Sequence, residues 1–236
     1  MLKEYLSIVI PSKNEGNNLI ECLRMLNNQA QIRGVKVFIA DSSDEDQKPN
    51  IIDLPFKNLD ISMVMGGFPA SARRNGSAHV ETEYVLFLDA DMMITDRWLL
   101  YDVINSYYGK FDLLTVPFRT DPQWNWCYRI FDFTQWFSHK ILKQPFAIGG
   151  FQLFRFSTYA NIGGYDSSQL FAEDYCISLK IKPERFLVHR SRRSAVYTSP
   201  RRFQKKGIWY MVKVMYLAYI NRNNPNFFKQ SHGYWD

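Results

Sequence analysis

Five consecutive apolar residues, Tyr84-Val85-Leu86-Phe87-Leu88, run directly into Asp89-Ala90-Asp91. An uninterrupted apolar run of this length reads as a strand buried on both faces, the position of a central strand in a parallel sheet. In open α/β sheets, ligands bind outside the carboxyl ends of the strands. Two carboxylates one residue apart at such an end can hold a divalent cation through hard oxygen ligands, with a diphosphate and water completing the shell. An isolated Asp-x-Asp is more simply a solvated turn in which one Asp caps the next helix. Here the buried strand before it favours the ligand site.

The flanking pattern agrees with such a sheet. Leu6 to Ile10 reads as a buried strand stopped by Pro11, and Asn14 or Asn17 can cap a helix carrying Leu19, Ile20, Leu23 and Leu26. Val35 to Ala40 follows as a second strand, at the spacing of a βαβ unit. A short strand at Ile61 to Met65, an Ala- and Ser-rich helix from Ala70 to His79, a helix capped by Asp96 and a strand from Asp112 to Val116 continue the alternation. The second half is less regular. It reads as a helix from Trp124 to Leu142, a strand-like FQLFRF after Gly149-Gly150, and a turn from Asn161 to Asp166. A helix from Glu173 to Ile181, a partly extended Val188 to Thr198 and an amphipathic terminal helix from Arg202 to Ile220 follow. The expected architecture is α/β: a Rossmann-like, mostly parallel central sheet flanked by helices, with an aromatic-rich helical C-terminal part. No repeat or linker divides the chain, so residues 1–236 are expected to form one domain.

Composition excludes several classes. With 46% hydrophobic and 22% charged residues over 236 positions, wholesale disorder, collagen and a coiled-coil rod are ruled out. The 3 cysteines, Cys22, Cys127 and Cys176, lie far apart, which argues against a disulfide framework or a cysteine zinc site and fits a reducing compartment. No apolar stretch approaches the roughly 20 residues that span a bilayer. MLKEYLSIVIP lacks the form of a signal peptide, so a cytoplasmic location is expected. The net charge of +6 has much of its excess between Arg185 and Lys213. Aromatics, 16% of the chain, gather in Trp124 to Phe156 and Phe203 to Trp235. A basic, aromatic C-terminal half suits contact with phosphates, nucleic acid or a lipid surface.

Further candidates surround Asp89 and Asp91. Glu173-Asp174 opens a helix; acidic residues there commonly serve the macrodipole, and a general base is the functional alternative. The loop Asp41 to Asp46 can offer a carboxylate to a nucleobase or ribose, or be simply solvated. Pro11 to Glu15 falls on the same sheet edge, and Glu15 could accept from a ribose. Arg73 and Arg74, with Arg201, Arg202, Lys205 and Lys206, supply cations; guanidinium forks match paired phosphate oxygens. The small residues around Arg74 permit close approach to a ligand. His189 either falls near the site or is a surface strand residue.

Taken in order, LSIVIPSKNE, FIADSSDED, ARRNGSA, YVLFLDAD, the GG-F-x-x-F-R segment, NIGGYD and FAEDYCISLKI resemble the family 2 glycosyltransferases of GT-A fold, over roughly residues 5 to 182. The tail YTSPRRFQKKGIWYMVKVM is similar to the C-terminus of small soluble members. The resemblance implies a nucleotide-diphosphate sugar donor (UDP- or GDP-linked), a divalent cation (Mg²⁺ or Mn²⁺) and inversion at the anomeric carbon. By position it implies that Asp41 recognises the base, Glu15 lies near the nucleoside and Arg74 faces the nucleotide, with Arg73 competing for that role. Asp89 and Asp91 would bind metal and Asp174 would be the catalytic base, while Pro11, Ala90 and Glu173 would complete the donor site. The loop DSSDED departs from the family's Gly-Ser-Thr-Asp. The Gln-x-x-Arg-Trp motif of processive synthases is absent after Ile181, which implies a single transfer.

The donor is thus expected in residues 1–118 and the acceptor in 119–236. The acceptor would present a hydroxyl or phosphate, with a lipid-linked molecule as one option. Trp124, Trp126, Tyr128, Phe131, Phe133, Trp136 and Phe137 could stack on an acceptor, dip into a membrane interface beside Arg129, Lys140 and Lys143, or pack the core. A peripheral position on the inner membrane face is the second of these. Two other classes compete. A nucleotidyltransferase should carry a Gly-rich basic loop where PSKNEGNN stands, and a non-catalytic membrane or nucleic-acid binder leaves carboxylates at successive strand ends unexplained. No nucleic-acid partner is expected.

Overall fold

A computed structural model describes residues 1–48, 56–191 and 196–233. The side chain of Arg202, part of the basic 188–198 segment and the end of the last aromatic stretch lie outside the described residues. The chain forms β1 (Leu6–Ser12), α1 (Asn17–Asn27), β2 (Val35–Asp41), β3 (Leu59–Met65), α2 (Pro69–Ser77), β4 (Tyr84–Leu88), β5 (Met92–Ile94) and α3 (Leu99–Tyr107). It continues as β6 (Leu113–Thr115), β7 (Phe118–Arg119), α4 (Asn125–Lys140), β8 (Phe151–Arg155), α5 (Phe156–Asn161), α6 (Glu173–Ser178), β9 (Phe186–Val188), β10 (Val196–Thr198) and α7 (Arg201–Ile220).

The main sheet has the order β3-β2-β1-β4-β8-β6-β9. β3, β2, β1 and β4 run parallel, as do β6 and β9, while β8 is antiparallel to both its neighbours. Alternation along each central strand separates two cores. Ile8, Ile10, Leu86 and Leu88 face Leu19, Leu23 and Leu26 of α1 and Leu100, Val103 and Ile104 of α3. Val9, Val85 and Phe87 face Tyr159 of α5 and Ile177 of α6. A smaller sheet, β5-β10-β7, sits beyond the end of β4.

Several boundaries depart from expectation. β1 runs through Pro11, which pairs with Ala40 of β2 beyond Val9 and Phe87, the last partners of β1 and β4. Past that point β4 makes no demand on the missing N–H. Neither Asn14 nor Asn17 caps α1; Gly16, at φ 49°, is the N-cap. Asn14 spends its side chain on Asp44 instead, donating from Nδ2 at 2.8 Å and accepting from the Asp44 N–H at 3.0 Å. The small residues of α2 serve close packing on the sheet, because a Cβ on Gly76 would collide with Val9. The terminal helix is interrupted at Gly207 (φ 75°, ψ 165°), a backbone conformation open to glycine.

The aromatic stretch divides between two fates. Cys127, Tyr128, Phe131 and Gln135 of α4 are buried, with the Phe203 ring of α7 edge-on to Tyr128 and tilted against Phe131. Trp126, Ile130, Phe133, Trp136 and Phe137 are exposed. Among the described residues, no helix is long and apolar enough to cross a membrane.

Candidate active site

The reversed strand β8 assembles the site. Because β8 is antiparallel to β4, its beginning lies at the carboxyl end of β4, where Leu88 pairs with Phe151. The Asp89 N–H donates to the Gly150 carbonyl at 3.3 Å. The Gly149 N–H donates to Asp174 Oδ2 at 2.8 Å, and the Tyr175 N–H donates to Oδ1 at the same distance. Asp174 is thereby pinned at the same end of the sheet as Asp89 and Asp91 although more than 80 positions separate them in sequence. The residue before the acidic pair, Ala172, is left-handed at φ 47°, ψ 40°. A non-glycine residue held there costs on the order of 1–3 kcal/mol, and such strain clusters at functional sites.

Arg73 ties the acidic groups together. It is only 3% exposed. Its Nη2 lies 2.6 Å from Asp89 Oδ1 and its Nη1 lies 2.6 Å from Glu173 Oε1. The guanidinium also stands over the Tyr165 ring at 5.4 Å, and the Tyr165 hydroxyl donates to Gln152 Oε1. Burial opposes the Arg73 charge, yet Asp89, Tyr165, Glu173 and Asp174 together hold its pKa well above the ordinary value. Arg74, the residue expected to face the nucleotide, donates instead to the carbonyls of Gly163 and Tyr165, at 3.2 and 2.9 Å. On a helix, adjacent positions point about 100° apart, and it is Arg73 that turns inward. Glu173 is buried as the partner of Arg73.

A second charged group forms around Asp91. Arg201 Nη2 lies 2.9 Å from Glu15 Oε2 and 3.4 Å from Asp91 Oδ2, and Thr198 Oγ1 stands 3.5 Å from the same Asp91 oxygen. Burial raises the Asp91 pKa to about 6, helped by the charges of Asp89 and Glu15 and opposed by Arg201. A carboxylate crowded by two others suits a dication, whose charge would relieve that crowding. Among the described residues, no three His, Cys, Asp or Glu side chains form a complete metal cage. Asp91, with Asp89 and Glu15 near it, is the group that would hold such an ion. Cys22 lies beneath with its thiol 3.9 Å from the Asp89 carbonyl. Burial, then Asp91 and Asp89, raise its pKa.

The remaining candidates fall at varying distance. Asp41 ends β2, and its carboxylate accepts from the Ser43 hydroxyl at 2.7 Å and the Ser43 N–H at 3.3 Å. Ser12, the residue after Pro11, accepts through its carbonyl from the Ser42 N–H at 2.9 Å, so the loops after β1 and β2 share one edge. Ala90 is buried between the two aspartates. His189 is directed elsewhere: Nδ1 is 3.2 Å from the Tyr107 hydroxyl on α3, and burial lowers its pKa.

Asp89, Asp91, Asp174 and Arg201 line one cavity of about 960 Å³, walled otherwise by α4, α6 and α7. Sequence reasoning missed Gly149, Gln152 and Tyr165 as supports of this site. The Gly-Gly and Gly-Tyr-Asp segments were their only signal, and backbone hydrogen bonding leaves no mark on side-chain pattern.

Acidic side chains at the carboxyl end of a parallel sheet, opposite a strand of reversed direction, define a GT-A glycosyltransferase fold. The chain belongs to glycosyl transferase family 2, whose family model matches residues 7–163. No curated protein sequence matches it. Among solved structures, S. aureus TarS is similar at TM-score 0.61 and 19% identity, covering 92% of this chain and 39% of TarS. TarS 1-349 in complex with UDP gives 0.62 and 19%, covering 85% and 62%. The mannosyltransferase PcManGT from Pyrobaculum calidifontis, in complex with GDP-Man and Mn²⁺, gives 0.62 and 16%, covering 81% and 56%. The chain thus spans under two thirds of the length of each.

Proposed function

We propose that the protein transfers a sugar, with inversion, from a nucleotide-diphosphate sugar to an acceptor hydroxyl. The observation that carries this is the meeting of Asp91 and Asp174 in one cavity, with Asp174 oriented by two backbone N–H groups. Asp174 takes the proton of the acceptor hydroxyl as that oxygen attacks the anomeric carbon. The bond from carbon to the diphosphate oxygen breaks, and the nucleoside diphosphate leaves with the electron pair. One displacement inverts the centre. A dication at Asp91, with Asp89 beside it, would supply Lewis-acid neutralisation of the leaving diphosphate. Arg201 adds a guanidinium to the same charge, with Arg202 next in sequence. Arg73, buried and paired with both, positions Asp89 and Glu173.

The donor's nucleoside end is assigned to the β1–β2 edge, with Pro11, Glu15 and Asp41, and the acceptor to residues 119–236. The UDP and GDP-Man complexes of the similar structures support the donor class, and the Mn²⁺ in PcManGT supports the ion. A peripheral membrane position belongs to the same proposal, supported by the exposed Trp126, Phe133, Trp136 and Trp209. A thermal-shift screen of UDP- and GDP-sugars with Mn²⁺ or Mg²⁺ tests the donor assignment, since a bound ligand raises the melting temperature. A metal-dependent shift is expected for one base. No shift with either base in either ion would overturn the proposal.

A further inference from the structure

The cavity that holds Asp174 extends far beyond what a sugar and a diphosphate need. Its volume of about 960 Å³ stands near the top of the roughly 300–1,000 Å³ range of small-molecule pockets. Away from the charged end, Phe131, Phe137, Leu142, Met211 and Met215 form its wall. Two of the hydroxyls on that wall, those of Thr134 and Ser138, are already engaged, while the phenols of Tyr128, Tyr175, Tyr216 and Tyr219 also line the cavity. Thr134 Oγ1 donates to the Phe131 carbonyl at 2.9 Å, and Ser138 Oγ donates to the Gln144 carbonyl at 2.8 Å. A saccharide lying against those five apolar side chains would leave most of its own hydroxyls without partners, at a cost in free energy that stacking on rings does not remove. A hydrocarbon chain has no such requirement.

We infer that the groove between α4 and α7 takes the hydrocarbon chain of an amphiphilic acceptor whose hydroxyl head faces Asp174. The inference rests on the glycosyltransferase reading above and adds the acceptor's class to it. Three features choose this occupant. The apolar wall is continuous with the base, so one molecule can reach both. The head is a hydroxyl because a phosphate dianion has no proton for Asp174 to take. Lys205 and Lys206 line the same cavity, which suits an anionic link between head and chain. In the transfer, the head's O–H proton passes to Asp174, its oxygen bonds to the anomeric carbon, and the nucleoside diphosphate departs with the electrons of the broken bond.

The test uses the whole chain with methyl, octyl and dodecyl β-D-glucoside, each below its micelle-forming concentration, followed by tryptophan fluorescence. Dodecyl glucoside is expected to bind roughly 10- to 100-fold more tightly than octyl, and the methyl glycoside not measurably. Phe133→Asp and Tyr216→Asp alter side chains that line the cavity yet are 61% and 62% exposed, so folding is retained, as a circular-dichroism melt would verify. Each should lose the alkyl binding about tenfold or more while keeping the nucleotide-dependent thermal shift. Equal binding of all three glycosides with that shift intact overturns this inference alone. Chain-length dependence with no nucleotide shift overturns the acceptor role together with the glycosyltransferase reading. A response to phosphatidylglycerol vesicles but to no glycoside makes the groove a bilayer contact instead. A dimer dispersed by Phe133→Asp makes it an interface between copies of the chain. Either of these last two results also overturns the inference.

Discussion

Arg73 and Asp89 meet at 2.6 Å, with the arginine almost wholly buried. The same guanidinium reaches Glu173, 100 positions away, through its other nitrogen. One side chain thus fastens the helix that carries Asp174 to the strand end that carries Asp89 and Asp91.

Removing Arg73 should therefore damage folding and site together. In Arg73→Met the aliphatic stem is kept and two carboxylates lose their counter-charge. Breaking a buried pair from one side costs about 3–5 kcal/mol. Urea denaturation should show a loss of that size; a change below about 1 kcal/mol would mean the ion pairs are incidental.

Asp174→Asn should leave donor binding intact and lower transfer by ~10²-fold or more, because the amide cannot accept the proton. Equal thermal shifts with nucleotide, alongside single-turnover rates for the two proteins, provide the check. A variant turning over normally would remove Asp174 from the mechanism.

The pH profile follows from the same residue. Burial, then the neighbouring Glu173, pushes the Asp174 pKa up to about 6, against Arg73 and the two backbone N–H groups. The base works only when ionised, so transfer should rise with pH through about 6 and level off above it. Stability has the opposite sign. The folded state holds protons on Asp174 and Asp91 that the unfolded state has released between 3.8 and about 6. Stability from these groups is present below that window and lost as pH rises through it. Melts of Asp174→Asn should show less of that decline.

Arg201 pairs with Glu15 and Asp91, so on the proposed reading it would compete with a dication for them. In Arg201→Ala, Mn²⁺ binding measured calorimetrically without nucleotide should strengthen by up to about fivefold, the scale of a partly exposed ion pair. Transfer should nevertheless slow, since the leaving diphosphate loses a guanidinium. Weaker Mn²⁺ binding in this variant would show that Arg201 instead organises the carboxylates for metal.

Gly66 lies against the end of β2, where an added Cβ would collide with the Asp41 carbonyl and the Ser42 nitrogen. Gly66→Ala should displace the Asp41 loop, with an overpacking cost of about 1–3 kcal/mol, and weaken the nucleotide-dependent thermal shift. A wild-type shift would separate Asp41 from donor binding.

Much of this was legible before the structure. Leu6 to Ile10, Val35 to Ala40 and Tyr84 to Leu88 announce buried strands because a strand covered on both faces reads as a near-continuous apolar run, broken here only by Ser7 and Lys36. The direction of Phe151 to Arg155 was not legible. A strand buried on both faces looks the same whichever way it runs, and only its pairing with β4 and β6 shows the reversal. The choice between Arg73 and Arg74 was hidden for a related reason. Both are cations on a helix rich in small residues, and which one turns inward depends on where that helix rests on the sheet.

By itself, then, the order of residues determined the α/β class, the acidic strand ends and the chemistry open to them, since hydrophobic period and charge are local properties. Tertiary structure alone decided that Asp174 would stand with Asp91, that Arg73 would bind the groups together, and that half of an aromatic helix would be left facing a cavity. Those outcomes depend on contacts between distant segments, and burial and hydrogen bonding assign them only once the sheet has formed.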